Sequence, residues 1–387
     1  MECIGQHIYS WFGWGLFMGL ISKGISKGRS LLGPSAIGEL AVRLGTGQRG
    51  RRLPTVEMAR AELSSLSPKP ETKTGFDFAF EHSAEVDLSV IVPCYNVERY
   101  VGDCLDSILS QDATCSFEVV AVNDGSTDGT PQILERYASN DTRLRVIHQK
   151  NRGFSGARNV GIDNARGRVL MFVDSDDAIL PRHIANLWTA LEELGADIVS
   201  GRYRKMTESG KVLRSVEKHR VHGGPWARLY KRDVWSDVRF PEGFWFEDTV
   251  QAYCIDSRFE EHYVDDAGYC YRMNAGSITS TCKASYKSLD SYWIVEEMIE
   301  WCRRLGIDLG QGLYDQTLHQ FGPLLLDRTS ILDDSQRASL FVLCSNLINT
   351  TEEFDGLRTS LGGRWCDLEA SLRDGDYLKW LASCRWM

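Results

Sequence analysis

Residues 169–177 read VLMFVDSDD, an apolar run that ends directly in three carboxylates within four residues. An uninterrupted apolar run of this kind is typical of a strand buried on both faces of a parallel sheet, and we predict a strand over 168–173. The side chains of Asp174, Asp176 and Asp177 concentrate negative charge at its carboxyl end. A hard divalent cation would compensate that charge, so the segment predicts an Mg²⁺ or Mn²⁺ site beside a substrate diphosphate.

Short apolar runs recur on both sides of this strand and alternate with amphipathic stretches, which is the pattern of βαβ units. The other predicted strands cover 88–92, 117–122, 143–148 and 197–200, and helical spacing predicts helices over 97–109 and 181–194. The predicted fold class is therefore α/β, with a Rossmann-like, mostly parallel sheet flanked by helices.

Two other predicted strands also end in polar segments, PCYN at 93–96 and NDGSTDG at 123–129. In an open parallel sheet, ligands bind outside the carboxyl ends of the strands, so we expect these segments and DSDD to form one site. A turn or a helix cap would explain any one of them, because Asp, Asn, Ser and Thr are favoured there. Their coincidence favours a binding site.

Two arginines precede the DSDD strand in the segment NRGFSGARN at 151–159, at a predicted entry from loop to helix. The planar guanidinium group suits phosphate or carboxylate, and we choose Arg158 as the residue that offsets the charge of a diphosphate. The alternative is a surface arginine paired with Asp163 or another acid.

Charge and cysteine content exclude several classes of protein. The formal net charge of -9 argues against a general nucleic-acid binder, so we predict no nucleic-acid partner. The 11 cysteines include no CxxC pair and predict reduced thiols rather than a disulfide framework or a zinc site. We therefore expect a cytoplasmic protein.

Residues 1–86 are predicted to be an N-terminal extension. The uncharged run over 8–21 is shorter than the roughly 20 residues that span a bilayer, and basic residues follow it. Three interpretations remain open: a peripheral anchor at the inner face of the cell membrane, a packed helix, or a mis-assigned start codon. Most of 23–85 is rich in Gly, Ser, Pro and charge and is interpreted as linker. The GxGxxG match at 45–50 lacks a preceding strand and does not predict dinucleotide binding.

Seven motifs then occur in a fixed order: SVIVPCYN from Ser89, VNDGSTDGT from Val122, NRGFSGARNVGI from Asn151, FVDSDD from Phe172, WARLYKRD from Trp226, FEDT from Phe246 and YRMNAGSIT from Tyr271. With them the chain resembles the inverting GT-A nucleotide-sugar transferases of glycosyltransferase family 2, in particular the bacterial branch that builds capsular polysaccharide, exopolysaccharide or teichoic-acid decoration. The resemblance implies a GT-A catalytic domain over 87–283 and a UDP-sugar donor. It also implies hexosyl or N-acetylhexosaminyl transfer to a glycan, lipid-linked or polyol-phosphate acceptor.

The resemblance also implies which residues bind the nucleotide. Pro93 and Tyr95 would hold the nucleobase, and Asp124 would accept a hydrogen bond from the uracil N–H. Asn96 and Ser175 belong to the same nucleotide-sugar-binding segments.

Further residues are implied to act around the sugar and the diphosphate. Asp174 would contact the ribose, and Asp176 would bind the Mn²⁺ or Mg²⁺ ion. Arg158 would contact the diphosphate or the loop that closes over it, and a looser match extends this role to Arg272 and Ser277.

Asp248 resembles the catalytic base of the family, with Glu247 beside it, and the product would have the inverted anomeric configuration. A carboxylate in a partly desolvated cleft can take the proton of an acceptor hydroxyl. By position alone, the two acids would instead suit the first turn of a helix predicted over 247–258. The chain lacks the QxxRW motif of the processive synthases, so a single transfer is implied.

Residues 284–387 carry apolar residues at helical spacing and predict a helical C-terminal module. We expect it to cap the core or to form a homo-oligomer contact rather than to build the acceptor groove. The rival to a transferase is a catalytically silent nucleotide-sugar-binding or scaffold protein of a polysaccharide assembly complex, against which Asp176 and Asp248 weigh. A nucleotidyltransferase would instead need a Gly-rich, basic loop where PCYNVERY stands. The donor sugar, the acceptor and the linkage are not set by these residues.

Overall fold

The apolar runs of the sequence form the strands of two sheets. The computed structural model describes residues 52–72, 85–216, 223–266, 268–274, 276 and 281–386. In chain order the strands are β1 (Val86–Cys94), β2 (Phe117–Asn123), β3 (Leu144–His148), β4 (Gly167–Phe172), β5 (Ala178–Ile179), β6 (Ile198–Ser200), β7 (Tyr203–Met206), β8 (Val212–Val216), β9 (Arg228–Lys231), β10 (Glu261–Tyr263) and β11 (Tyr269–Arg272).

The larger sheet has the strand order β10-β6-β9-β4-β1-β2-β3 within the described residues. Strand β1 pairs in parallel with β2 and β4, and β2 pairs in parallel with β3. Only the pairings of β9 with β4 and β6 are antiparallel in this sheet as described. The predicted α/β class with a mostly parallel sheet is confirmed, and the three strands that end in polar segments are neighbours.

Helices cover both faces of this sheet. In chain order they are α1 (Val56–Leu66), α2 (Val101–Leu109), α3 (Thr130–Asn140), α4 (Gly153–Asn164), α5 (His183–Leu194), α6 (Asp290–Leu305), α7 (Gln311–His319), α8 (Leu325–Arg328), α9 (Asp334–Thr350), α10 (Arg364–Asp374) and α11 (Tyr377–Trp386). Alternate residues of a strand face opposite sides of a sheet. Val90 and Val92 accordingly pack in the cluster that includes α2 and α5, whereas Ile91 packs with α4 and the C-terminal helices. The helices predicted over 97–109 and 181–194 correspond to α2 and α5, which both begin later.

A smaller sheet lies directly after the DSDD segment. Its strand order is β5-β11-β7-β8, and β11 pairs antiparallel with β5. Since β5 begins at Ala178, this pairing brings the start of the YRMN segment alongside DSDD. The smaller sheet therefore supports the segment that was predicted to carry the metal site.

The predicted C-terminal helical module is confirmed, and it packs on the α4 face of the larger sheet. The module buries Trp293, Trp301 and Trp380 in one apolar cluster with Leu170 and Phe172 of β4. It therefore caps the core, as expected.

The linker prediction is wrong for the segment that contains α1. The hydroxyl of Thr55 caps this helix by accepting from the backbone N–H of Met58 at 3.3 Å. Ala59 and Leu63 are fully buried, and the helix packs against α9. Its few apolar residues form a short stripe, so most of its stability comes from a surface supplied by the distant end of the chain.

Three further sequence predictions concern membrane contact, dinucleotide binding and the cysteines. Among the described residues, no helix is both long and apolar enough to cross a membrane. The run over 8–21 and the GxGxxG match at 45–50 lie outside the described residues. Each described cysteine is a free thiol.

Candidate active site

The three polar segments at the strand ends meet at one edge of the larger sheet. There they line a cleft with a volume of about 1130 Å³. The predicted site residues that line it are Pro93, Tyr95, Asn96, Asp124, Arg158, Asp174, Ser175, Asp176, Glu247 and Asp248. Arg272 is not part of this lining, and Ser277 lies outside the described residues.

Asp124 lies directly after β2 and is buried, with only 1% of its surface exposed. One oxygen, Oδ1, accepts from the side-chain amide of Gln149 at 2.6 Å and from the backbone N–H of Arg152 at 2.8 Å. The other, Oδ2, is buried and has no hydrogen-bond partner among the described residues. Because buried polar atoms are nearly always satisfied, this oxygen is suited to accept from a ligand N–H.

The PCYN segment is held to the end of β2 by Asn96. The backbone of Asn96 has a left-handed conformation, with φ 52°, and its N–H donates to the Ser126 hydroxyl at 3.0 Å. Its side-chain oxygen accepts from the backbone N–H of Thr127 at 2.8 Å. The adjacent Tyr95 remains 49% exposed in the cleft. These bonds place an aromatic ring, which is available for stacking, on the same cleft as Asp124.

Asp177 ties DSDD to the smaller sheet. It is buried, and its Oδ2 and Oδ1 accept from the Tyr269 hydroxyl and the Arg272 backbone N–H, each at 2.7 Å. Burial, together with the charges of Asp176 and Asp174, raises the pKa of Asp177. This residue, whose role the sequence did not define, fixes the position of the loop.

Asp176 faces the cleft, where the side-chain amide of Asn274 donates to its Oδ2 at 2.6 Å. Burial and the neighbouring charge of Asp174 raise the pKa of Asp176 to about 6. A cation nearby would favour the ionised form. Asn274 belongs to the YRMN motif but was not among the predicted site residues, and it is the motif residue that contacts this carboxylate.

Arg272 is buried beside DSDD and contacts residues of the cleft lining without being part of it. Its Nη1 donates to the backbone carbonyl of Glu208 at 2.8 Å, and its Nη2 donates to Asp103 at 3.1 Å. A third donor, Nε, bonds the backbone carbonyl of Asp176. Arg272 therefore braces the loop in this structure.

Arg158 joins the two acidic parts of the cleft. This buried residue of α4 pairs with Asp174 at 2.8 Å through Nη2, and its Nη1 pairs with Glu247. Burial opposes the charge of Arg158, but the two carboxylates raise its pKa above the ordinary value. Arg158 is thus neither exposed nor paired with Asp163, which bonds Arg239 at 2.9 Å instead.

Glu247 and Asp248 follow a sharp change of chain direction at Phe246, which has φ 61°. Burial and the charge of Asp248 raise the pKa of Glu247 to about 7, although Arg158 opposes the shift. Burial also raises the pKa of Asp248, and the charge of Arg328 is the strongest opposing influence. The helix predicted over 247–258 is confirmed in part: a turn over 247–248 leads into helical residues at 249–250 and a π-helix over Gln251–Ile255.

The C-terminal module supplies a wall of the cleft that the sequence analysis missed. The contributing residues are Leu324, Asp327 and Arg328, and they lie beside Cys282 and Lys283 of the preceding connection. The module was expected to cap the core or to form an oligomer contact rather than to build the acceptor groove; it caps the core and also lines the cleft. No motif in the segment around Arg328 indicates this role, because the contact arises from packing between distant parts of the chain.

We predict that Arg158→Met lowers the free energy of unfolding at pH 8 by about 3 kcal/mol, since removal of one partner leaves buried carboxylates uncompensated. Glu247, with a pKa of about 7, is mostly protonated at pH 5. The loss should therefore be smaller at pH 5 than at pH 8, as measured by urea unfolding.

Arg136→Met provides the control, because Arg136 is exposed and stacks on Tyr137 at 5.5 Å from the ring centroid. We expect it to change the free energy of unfolding by less than about 0.5 kcal/mol. Equal effects of the two substitutions, or an Arg158→Met effect that does not depend on pH, would contradict the structural role of the bridge.

The fold defines a class of protein, the proteins with a GT-A fold. A solved structure of residues 1–349 of TarS from S. aureus has this fold, with a TM-score of 0.54 and 24% identity over 77% of this chain and 90% of that one. Residues 89–246 match the family model described as Glycosyl transferase family 2. The chain belongs to glycosyltransferase family 2.

Relatives with curated names agree with this membership. The chain is 30% identical to the glycosyltransferase GlyG of Streptococcus pneumoniae over 251 residues, which is 57% of this chain and 82% of GlyG. It is 34% identical over 220 residues to the uncharacterized glycosyltransferase EpsJ of Bacillus subtilis, half of this chain and 62% of EpsJ. In the larger GlyA of S. pneumoniae, the similar part is only 31% of the protein. The family model ends just before Glu247, so the assignment of the two acids depends on motif and geometry.

Proposed function

We propose that this protein is an inverting glycosyltransferase that moves a sugar from a UDP-sugar to an acceptor hydroxyl in the synthesis of a cell-surface polysaccharide or glycopolymer. The observation that carries the proposal is the pair of salt bridges from Arg158 to Asp174 and Glu247. These bonds hold the carboxylates of DSDD and the acids at 247 and 248 on one cleft. A glycosyl transfer needs those two groups on opposite sides of the anomeric carbon.

The nucleobase end of the donor is assigned to the β1 and β2 ends. The buried, unpartnered Oδ2 of Asp124 is an acceptor for the N3–H of uracil, and the exposed ring of Tyr95 provides a stacking surface. A cytosine has no hydrogen at N3, so this carboxylate favours uridine over cytidine. The sugar itself is proposed to be a hexose or N-acetylhexosamine.

The residues present fit a Mn²⁺ or Mg²⁺ ion that is shared with the donor. Within the described part of the chain, no group of three or more His, Cys, Asp or Glu residues is arranged to hold a metal. Such a cage is not needed, because Mg²⁺ typically uses one or two carboxylates, substrate phosphates and water. Asp176 would hold the ion, oriented by Asn274. When bound, the ion would stabilise the negative charge of the departing diphosphate.

Asp248 is proposed to act as the general base. As the acceptor oxygen forms its bond to the anomeric carbon, the bond from that carbon to the UDP oxygen breaks, and the hydroxyl proton passes to Asp248. Attack from the face opposite the leaving group inverts the configuration. Gly223 keeps this carboxylate accessible, because a Cβ at that position would lie 3.2 Å from Asp248 Oδ2. Glu247 is held in place by Arg158 beside it.

The proposed acceptor and cellular location follow from the family resemblance and from the sequence. A glycan, a lipid-linked sugar and a polyol phosphate are the acceptor classes proposed, at the cytoplasmic face of the cell membrane. Peripheral membrane contact through residues 8–21 and a homo-oligomer contact through the helical module stay predictions.

A panel of nucleoside diphosphate sugars, assayed for nucleotide release with Mn²⁺ or Mg²⁺ and cell-envelope extracts as acceptor, tests the proposal. We expect release of UDP from at least one uridine donor and none from guanosine or adenosine donors. Binding of UDP without turnover of any donor would favour the scaffold protein instead.

Asp124→Asn sharpens the same experiment. The asparagine carbonyl can still accept from Gln149 and Arg152, but an N–H₂ group then replaces the Oδ2 that faces the base. This donor would oppose uracil N3–H and accept no bond from it, whereas it can bond N3 of cytosine. We expect the preference for UDP over CDP to fall by about tenfold or more. An unchanged preference would place the base elsewhere.

A further inference from the structure

Within the described part of the chain, one cation of the cleft has no counter-charge in contact with it. Four basic side chains of the described ranges line the cleft, and three of them form ion pairs: Arg99 with Glu208 at 3.1 Å, Lys283 with Asp327 at 2.6 Å, and Arg158 with Asp174 and Glu247. Arg328 is the fourth. Among the described residues it has neither a hydrogen bond nor a carboxylate within 4.0 Å.

The ring of Phe246 stacks against the guanidinium group of Arg328. The guanidinium carbon lies 3.8 Å from the centroid of the Phe246 ring, a close cation–π stack. The backbone of Phe246 is left-handed, with φ 61°, which is strained for a bulky residue, and residues strained in this way cluster at functional sites. Stacking occupies a face of the planar group and leaves its N–H donors at the edge for a ligand.

The position of Arg328 assigns it to the acceptor side of the cleft. Its guanidinium group stacks on Phe246, which directly precedes Glu247 and Asp248 in the chain. Burial lowers the pKa of Arg328, and the charges of Asp248, Cys282, Asp327 and Glu247 oppose that shift, Asp248 most strongly. Asp327 and Glu247 are already paired with other cations. The base pocket at Asp124 is not among these neighbours. A ligand anion bound by Arg328 would therefore lie next to the proposed base.

We infer that Arg328 binds a phosphate group carried by the acceptor, beside the hydroxyl that Asp248 deprotonates. The inference rests on the proposed function and restricts the class of acceptor to molecules that carry phosphate. A neutral glycan offers no counter-charge to this guanidinium group. Arginine provides several N–H donors in a fixed plane, which suit phosphate oxygens. The donor diphosphate is the other source of phosphate, and the experiment separates the two sources.

The full-length protein is first saturated with UDP and Mg²⁺, which fills the donor phosphate sites, and is then titrated with glycerol 3-phosphate or with glycerol by calorimetry. We expect glycerol 3-phosphate to bind and glycerol not to bind. Arg328→Gln should weaken glycerol 3-phosphate binding by about tenfold or more, and Arg328→Lys should weaken it less. UDP affinity should change by no more than about twofold in either variant.

Arg303→Gln is the matched control, since Arg303 is an exposed residue of the same module that pairs with Glu353 at 2.8 Å. It should bind both ligands like the unchanged protein. The inference is overturned if the unchanged protein binds no glycerol 3-phosphate, or if Arg328→Gln weakens UDP binding rather than glycerol 3-phosphate binding. It is also overturned if Arg328→Gln only moves the pH dependence of turnover, because Arg328 would then serve Asp248 alone. UDP binding and the donor panel test the proposed function separately.

Discussion

Asp248→Asn is expected to slow sugar transfer by roughly 10²- to 10⁴-fold, the range contributed by one general base. An asparagine side chain cannot take the proton of the acceptor hydroxyl. UDP affinity should stay within about twofold of that of the unchanged protein, because Asp248 is proposed to act on the acceptor. Initial rates of product formation and calorimetric titration with UDP measure the two quantities.

The pH dependence of turnover provides a second test of Asp248. A general base acts in its ionised form, so the rate should rise with pH through the pKa of Asp248. Burial raises this pKa above that of an ordinary aspartate. The acidic limb should therefore lie at a higher pH than for an exposed carboxylate, and it should be absent from the residual activity of Asp248→Asn.

Asp367→Asn is the control for this substitution, because Asp367 is an exposed residue at the start of α10, outside the cleft. It should leave both the rate and the pH profile unchanged. If Asp248→Asn retained more than about a tenth of the activity, Asp248 would not be the base, and Glu247 would be the next carboxylate to replace.

Asp176→Asn should abolish metal-dependent turnover, with a loss of at least roughly 10³-fold, since the metal contributes several kcal/mol to stabilisation of the leaving group. The amide is a neutral and weaker ligand for a hard cation. Mn²⁺ should strengthen UDP binding to the unchanged protein and have little effect on UDP binding to the variant. UDP titrations with and without Mn²⁺ measure this difference without any need for an acceptor.

Asp367→Asn again serves as the control and should retain the effect of Mn²⁺. Asp177→Asn would be a poor control, because Asp177 holds DSDD to β11 through two hydrogen bonds. An Asp176→Asn variant in which Mn²⁺ still strengthens UDP binding would show that another group binds the metal.

The central sheet and its strand-end segments could be predicted because their signals are local. The run VLMFV requires burial on both faces, and its polar continuation must then lie at the edge of the sheet. The structure places DSDD, Asp124 and Tyr95 on one cleft as this reasoning requires. The roles of these residues remain predictions.

Features that depend on contacts between distant residues could not be predicted in this way. The apolar residues of α1 form only a short helical pattern in the sequence. They are buried because α9 covers them. The helix predicted over 247–258 is shorter than expected and contains a π-helix, and the left-handed backbone of Phe246 and the ion pair of Glu247 with Arg158 precede it. Arg158 itself was chosen for its chemistry, but its two carboxylate partners lie in separate motifs that only the fold brings together.

The packing of α1 on α9 has a consequence for how the protein is made. Ser339 donates a hydrogen bond to Glu62, and these residues are separated by 277 positions. A ribosome delivers the chain from its first residue, so α1 emerges long before the surface that buries it. Its apolar stripe must remain uncovered while the whole catalytic sheet is synthesised, and only the last part of the chain can enclose it. The helical layer should therefore be the last part of the molecule to become protected during synthesis.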